Sequence, residues 1–326
     1  MRRGHSSFVT VGYALLILLA LAVPFIGLYP VLVMKVLCFA IFACAFNLLF
    51  GFTGLLSFGH AAFFGASAYA TGWIVRAYSL TPELGILFGM LVAAGIGLVM
   101  GVIAIRRQGI YFAMVTLALA QMVYFACLQF PFTHGEDGLQ GVPRGELFGL
   151  IPLQSDVVMY YFVLAVFIVV FASIRRIVHS PFGQVLKAIR ENEPRAVSLG
   201  YIVDRYKLLA FVLSAALAGL AGSLKTLALG FATLTDVHWS TSGEVILMTL
   251  LGGLSTFFGP AAGAGIVIAL QDLLADKVGS WVTVIIGAIF VVCVLVFRRG
   301  VVGEFVAWRS RSATRATGVQ RSESNS

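Results

Sequence analysis

An all-α, polytopic transmembrane helix bundle is what this sequence predicts, with about ten spans and both termini cytoplasmic. Three observations lead there. The 326 residues are 60% hydrophobic and only 11% charged, with a mean hydropathy of +0.99. A soluble domain cannot stay dispersed with so little charge on its outside. The apolar residues also form long continuous runs: Phe8–Met34, Val36–Val75, Leu84–Ile105, Gln108–Thr133, Val157–Ile174, Val245–Gln271 and Val278–Phe297. About 20 such residues cross a hydrocarbon core of roughly 30 Å. Barrel strands alternate over short segments, so these runs exclude a membrane β-barrel.

The third observation is where the charges fall. Basic residues gather at Arg2/Arg3, Arg106/Arg107, Arg175/Arg176, Lys187–Lys207 and Arg298–Arg321, the pattern of cytoplasmic loops. The net charge of +8 is explained by that placement and is no nucleic-acid signal. His134–Asp156 carries Glu136, Asp137, Glu146 and Asp156 against Arg144 and should face outward. Arg175–Lys207 holds seven basic and three acidic residues and should face inward.

Taken in order, the spans fall at about 10–28, 31–50, 58–76, 84–105, 109–131, 157–174, 207–228, 241–256, 260–275 and 279–298. Arg2/Arg3, the first run and Ala20-Leu21-Ala22 resemble a cleavable signal. The run continues to Met34, which favours a retained first span. Reading 241–275 as one helix would give nine crossings and leave the Arg-rich tail outside, so the even count is preferred. Residues 1–300 form the transmembrane domain, with the polar stretch 175–207 within it. The Ser/Arg/Thr-rich stretch 301–326 loses apolar periodicity and reads as a disordered cytoplasmic tail.

Two places interrupt the helical pattern: Gly51–His60 and Gly252–Pro260. With a one-residue gap, Gly54–Ala62 resembles Gly253–Ala262. Interrupted segments of this kind point towards a substrate pathway, although tight turns between hairpin helices read equally well. The offset is six spans rather than five, so the repeat does not establish inverted symmetry. Gly97/Gly101, Ala215/Gly219, Ala218/Gly222 and Gly259/Gly263 are small-residue pairs that let helix backbones approach closely.

Residues 179–208 form a polar island. Ser180 as N-cap and Pro181 at the first helical position start a helix. Phe182, Val185, Leu186 and Ile189 share one of its faces, with Lys187 and Arg190 opposite. Glu193-Pro194 begins a second short helix, which Gly200 ends. Such an amphipathic element lies on lipid headgroups, serves as a linker, or fits a groove on a cytosolic partner.

Chemistry inside the chain is sparse. No Gly-Lys dipeptide occurs, so a P-loop is excluded. His5, His60, His134, His179 and His238 are scattered, and Cys38, Cys44, Cys127 and Cys293 sit singly in apolar runs; no metal site is expected, and the thiols read as reduced and structural. Lys225 and Glu244 fall near predicted span ends, where lone charges snorkel. Energy is therefore expected from outside the chain. Candidate pathway residues are Asn47, Thr53, Ser57, His60, Gln121 and Ser255.

The island resembles the cytoplasmic coupling loop of bacterial ABC-importer permeases. A more specific resemblance is to the permeases of high-affinity branched-chain amino-acid importers. It rests on residues 46–65 (Phe-Asn-Leu-Leu-Phe-Gly-Phe-Thr-Gly-Leu-Leu-Ser-Phe-Gly-His-Ala-Ala-Phe-Phe-Gly) and 109–118 (Gly-Ile-Tyr-Phe-Ala-Met-Val-Thr-Leu-Ala). Lys207 followed by Ala210–Ala215 and Ala218–Gly222 adds to it. The likeness covers about 30–300; Gln184 and Glu191–Glu193 depart from the Glu-Ala-Ala pattern of that loop.

The resemblance implies a transport subunit, not an enzyme, in a bacterial inner membrane. Its implied partners are cytosolic ABC ATPase subunits, a second permease, and a periplasmic or lipid-anchored binding protein that delivers an amino acid. ATP and magnesium would be used by the ATPases, with no cofactor in this chain. The coupling loop would span about 175–207, with Phe182, Gly183, Leu186, Ala188, Ile189, Arg190, Glu191 and Gly200 at the ATPase contact. An ABC permease for urea or short amides, a channel-like facilitator and a membrane scaffold are the alternatives.

Overall fold

The computed structural model describes residues 29–281, 284–289 and 291. The expected span 10–28, Cys293, the tail and half of 279–298 lie outside the described residues. Ten helices of six residues or more are described. They are α1 (Pro30–Thr53), α2 (His60–Tyr78), α3 (Pro82–Ala104), α4 (Ile110–Gln129), α5 (Asp156–His179), α6 (Pro181–Glu191), α7 (Glu193–Ser198), α8 (Val203–Leu229), α9 (Trp239–Gly252) and α10 (Gly259–Val278). Five are long and apolar enough to cross a membrane: α1, α3, α4, α5 and α8. The described part is a helical bundle decorated by two short two-stranded sheets.

Helix α8 is the hub, packed on α3, α2 and α1, while α1 packs also on α10 and α5. Glycine makes this closeness possible. A Cβ on Gly97 would stand 2.4 Å from that of Ala215, and one on Gly219 would stand 2.2 Å from that of Ala93. At Gly263 a Cβ would lie 1.9 Å from the Met248 carbonyl. Hydrogen bonds lock the same seams. Ser67 Oγ donates to the Gly219 carbonyl at 2.7 Å, and Thr71 Oγ1 to Ser223 Oγ at 2.7 Å. In lipid such small-residue contacts and buried hydroxyls replace the hydrophobic effect between helices.

The outer faces of α3 and α4 expose Leu84, Leu87, Leu91, Leu98, Met114, Met122 and Phe125, as helices solvated by acyl chains do. Both ends of α8 carry a lysine bonded to a carboxylate. Lys207 reaches Glu193 and Lys225 reaches Asp236, each at 2.6 Å. The two lysines are 18 residues apart, about 27 Å along the helix axis, close to the hydrocarbon thickness.

One expected span comes out shorter than predicted. Helix α9 has 14 residues and rises about 21 Å, less than a hydrocarbon core. It is preceded by an unwound stretch, 230–238, that folds back onto the bundle. Val237 there is buried against Gly65 of α2, whose Cβ would meet its backbone nitrogen at 2.6 Å. Protein groups satisfy this backbone: Phe231–Ala232 pairs with Leu139–Gln140, and Thr233 and Asp236 close a capping box. Irregular backbone at such depth requires that.

Candidate functional site: the coupling junction

Both helical interruptions foreseen in the sequence lie at the end of the bundle that carries the polar island. Helix α1 ends at Thr53, capped by Gly54 in the left-handed region (φ 80). The second interruption, 253–258, docks on that last turn. Asn47 Nδ2 donates to the Thr256 carbonyl at 3.0 Å, and the Ser255 N–H donates to Asn47 Oδ1 at 3.1 Å. Ser255 Oγ donates to the Gly51 carbonyl at 2.7 Å. Ser255 has φ 62, a region that non-glycine residues enter only when surroundings hold them there.

The polar island joins this knot. Ser180 Oγ caps α6 by accepting from the Gly183 N–H, and Asn192 Oδ1 caps α7 by accepting from the Arg195 N–H. After Leu199, Gly200 (φ 86) turns the chain, with Gly200 N–H on the Val197 carbonyl and Tyr201 N–H on that of Ala196. That 5→2 and 6→1 pair is a Schellman stop. From α6, the Arg190 guanidinium donates to both the Gly51 carbonyl and Ser255 Oγ. Gly54 lets it pass, since a Cβ there would sit 3.2 Å from Arg190 Cγ. One side chain of the island thus holds the end of α1 and the second interruption together.

The first interruption faces α4. Gly54, Leu55, Leu56 and Phe58 line a cleft of about 420 Å³ with Gly109, Ile110, Phe112 and Ala113. The Phe58 N–H donates to Thr116 Oγ1 at 3.2 Å. Glu193 ties α7 to both sides, accepting from Lys207 and, at 3.1 Å, from Gln108.

Of the sequence candidates, Asn47 and Ser255 are brought into direct contact. Thr53 lies one turn beyond, its hydroxyl on the Leu48 carbonyl at 3.4 Å. Ser57 is fully buried, and its Oγ accepts from the Gly59 N–H. His60 is fully buried too, with Nε2 2.8 Å from Ser214 Oγ and rings of Phe46, Phe63 and Phe211 around it. That is the setting of a packing histidine. Gln121 is half-buried on α4, about three turns from the junction.

In the island, Leu186 and Ile189 are turned into the protein, at 0% and 3% exposure. Gly183 is buried as well, because a Cβ there would lie 2.4 Å from the Val178 carbonyl. Ala188 and Phe182 are half-buried, Phe182 stacked on Tyr206, while Glu191 and Gly200 are exposed. The open apolar surface belongs instead to Val197, Leu199, Tyr201 and Ile202, which sequence reasoning passed over. Periodicity identified the apolar face of α6 but could not say that the bundle itself covers it. Lys225 also differs from expectation. It is buried and paired rather than snorkelling, because the 230–238 stretch brings Asp236 to it.

Comparison with known proteins completes the picture. A family model for the permease component of branched-chain amino acid transport systems matches residues 30–294. The chain belongs to that family. Its similarity to individual members is moderate. The high-affinity branched-chain amino acid transport system permease protein LivM of Salmonella typhimurium is 29% identical over 287 residues, covering 80% of this chain and 67% of that protein. The protein of the same name in Escherichia coli gives the same figures. A probable branched-chain amino acid transport permease, LivM of Methanocaldococcus jannaschii, is 25% identical over 271 residues, or 72% of this chain and 77% of that one. No solved structure matches the chain. The permease is thus a multi-pass membrane protein. Among its described residues no group of His, Cys, Asp or Glu could hold a metal.

Proposed function

We propose that this permease is a pathway-forming subunit of an ATP-driven importer for branched-chain amino acids in a bacterial inner membrane. It works beside a second permease. Separate cytosolic ATPases hydrolyse ATP with magnesium, and a periplasmic or lipid-anchored binding protein delivers the substrate. Family membership supports the substrate class. The observation that carries the mechanism is Arg190, bonded at once to the end of α1 and to the second interruption.

The physical logic is that of a two-position packed element biased from one side. An ATPase pressing on α7 meets Val197, Leu199, Tyr201 and Ile202. Helix α6 moves with α7, and Arg190 carries that movement to Gly51 and Ser255. The segment 253–258 connects two helices, so displacing it shifts α9 and α10 together. Both termini are cytoplasmic in this reading, and the basic island faces the ATPases.

Two experiments test it. Val197→Asp with Leu199→Asp is expected to abolish co-purification of the ATPases while the permease accumulates in the membrane at its normal level. Undiminished co-purification would place the contact elsewhere. Gly183 is unsuitable for that purpose, since any side chain there strikes backbone. In vesicles holding the complete complex, labelled leucine uptake should require internal ATP and be competed by isoleucine and valine. ATP-dependent uptake without that competition would redirect the substrate towards urea or short amides. Uptake indifferent to ATP would make the chain a facilitator.

A further inference from the structure

At the end of α8 opposite the junction, a second polar cluster is built beneath the 230–238 stretch. Lys225 is 4% exposed and Asp236 6%. Asp236 Oδ2 receives every hydrogen bond described for that carboxylate, from Lys225 Nζ at 2.6 Å and from the Thr233 N–H and Oγ1 at 3.0 Å each. Among the described residues Oδ1 takes none. The Lys225 ammonium has three protons to donate, and one described bond; the Phe231 ring lies 4.8 Å from Nζ. Two hydroxyls at this end of α2 and α8 have no hydrogen-bond partner among the described residues, Tyr69 Oη and Thr226 Oγ1. Both side chains are at least nine-tenths buried, at 1% and 0% exposure.

The elements bring Tyr69 and Thr226 to the same end of the bundle as the ion pair. Gly65 on α2 touches Val237, the residue after Asp236, and Tyr69 follows one turn later on the same face. Gly72, a further turn on, meets the methyl of Thr226 together with Leu139 and Val142. Thr226 follows Lys225 on α8, about 100° round the helix, with its methyl towards Gly72. The cluster therefore lies between α2, α8 and the unwound stretch, under a lid whose Phe231 and Thr235 are exposed.

Buried polar groups are almost always satisfied, and each exception calls for an explanation. Here the unmet capacity is specific. It comprises ammonium protons and hydroxyls on one side, which suit a carboxylate, and a carboxylate oxygen on the other, which suits an ammonium. We propose that Lys225, Asp236, Tyr69 and Thr226 form the site that reads the zwitterionic head of an α-amino acid entering the permease. Lys225 and the hydroxyls take the α-carboxylate, and Asp236 takes the α-ammonium. The exposed Phe231 ring beside Lys225 offers apolar surface for an aliphatic side chain. With no substrate the two charges neutralise each other, so the empty site holds no unpaired buried charge. This inference rests on the amino-acid reading of the proposed function and adds where the substrate is recognised.

The test uses the purified complex without binding protein, so that only the permease reads the ligand. Saturation-transfer NMR is recorded with leucine and with leucinamide, whose carboxylate is capped. The wild type is expected to show transfer to leucine and about tenfold less to leucinamide. Lys225→Met with Asp236→Asn removes both charges together and leaves neither unpaired. This double variant should assemble, lose leucine transfer about tenfold and no longer separate the two ligands. Assembly with undiminished leucine transfer would overturn the site. Should the double variant fail to assemble, Tyr69→Phe decides. It removes only an unpartnered hydroxyl, and it should lower leucine transfer several-fold, whereas unchanged transfer would refute the proposal. If the wild-type complex imports no leucine with ATP, the amino-acid reading itself fails; if it imports leucine and the variants match it, only this inference fails.

Discussion

Replacing Arg190 by alanine is expected to leave the importer assembled and hydrolysing ATP while leucine uptake falls by one to two orders of magnitude. The guanidinium makes two charge-assisted hydrogen bonds, to the Gly51 carbonyl and to Ser255 Oγ. Such bonds contribute about 1.5–3 kcal/mol, and about 1.4 kcal/mol is a factor of ten in a rate or equilibrium. Truncation leaves α6 otherwise in place, because Leu186 and Ile189 remain buried and the Ser180 cap is untouched. The surface of α7 is unchanged, so the ATPases still dock. What is lost is the strut that moves segment 253–258 when α6 moves. Hydrolysis and uptake measured on the same vesicles give the coupling ratio, and a ratio equal to that of the wild type would show that the strut transmits nothing.

Gly222→Val should have the largest effect on folding. A Cβ on Gly222 would lie 1.9 Å from the Phe64 carbonyl oxygen and 2.6 Å from Ser67 Oγ. Backbone cannot yield as a flexible side chain does, so α8 and α2 must separate. Overpacking alone costs about 1–3 kcal/mol. Separation would also break the Ser67–Gly219 and Thr71–Ser223 bonds on the same seam. The expectation is that no monodisperse complex is recovered in detergent. Gly95→Val is the matched control, since nothing lies within 4 Å of a Cβ at Gly95. Equal recovery of the two variants would contradict the packing described.

Much of this architecture could be read from the chain. Apolar runs located most of the described long helices to within a few residues, since membrane-spanning length is set by the bilayer. Local capping chemistry placed α6 and α7: Ser180, Pro181, Glu193-Pro194 and Gly200 act on their own neighbours. The two glycine interruptions were visible for the same reason. What could not be read was pairing across distance. Asn47 and Ser255 are 208 residues apart, and no periodicity links them. The face of α6 was identified, but which side of it the bundle covers depends on where α5 ends. Helix α9 was expected to run through residue 256, yet Gly253 (φ 114) ends it. Lys225 looked like a span-end cation because its partner arrives on a stretch that carries no apolar pattern.

A double-mutant cycle on coupled leucine uptake tests the central claim most directly, using Arg190→Ala, Ser255→Ala and the two combined in the reconstituted complex. If Arg190 acts through Ser255 and Gly51, the substitutions are strongly non-additive, and the double variant is little worse than Arg190→Ala alone. If the two losses simply multiply, the residues act independently, and the ATPase stroke reaches the transport helices by another route.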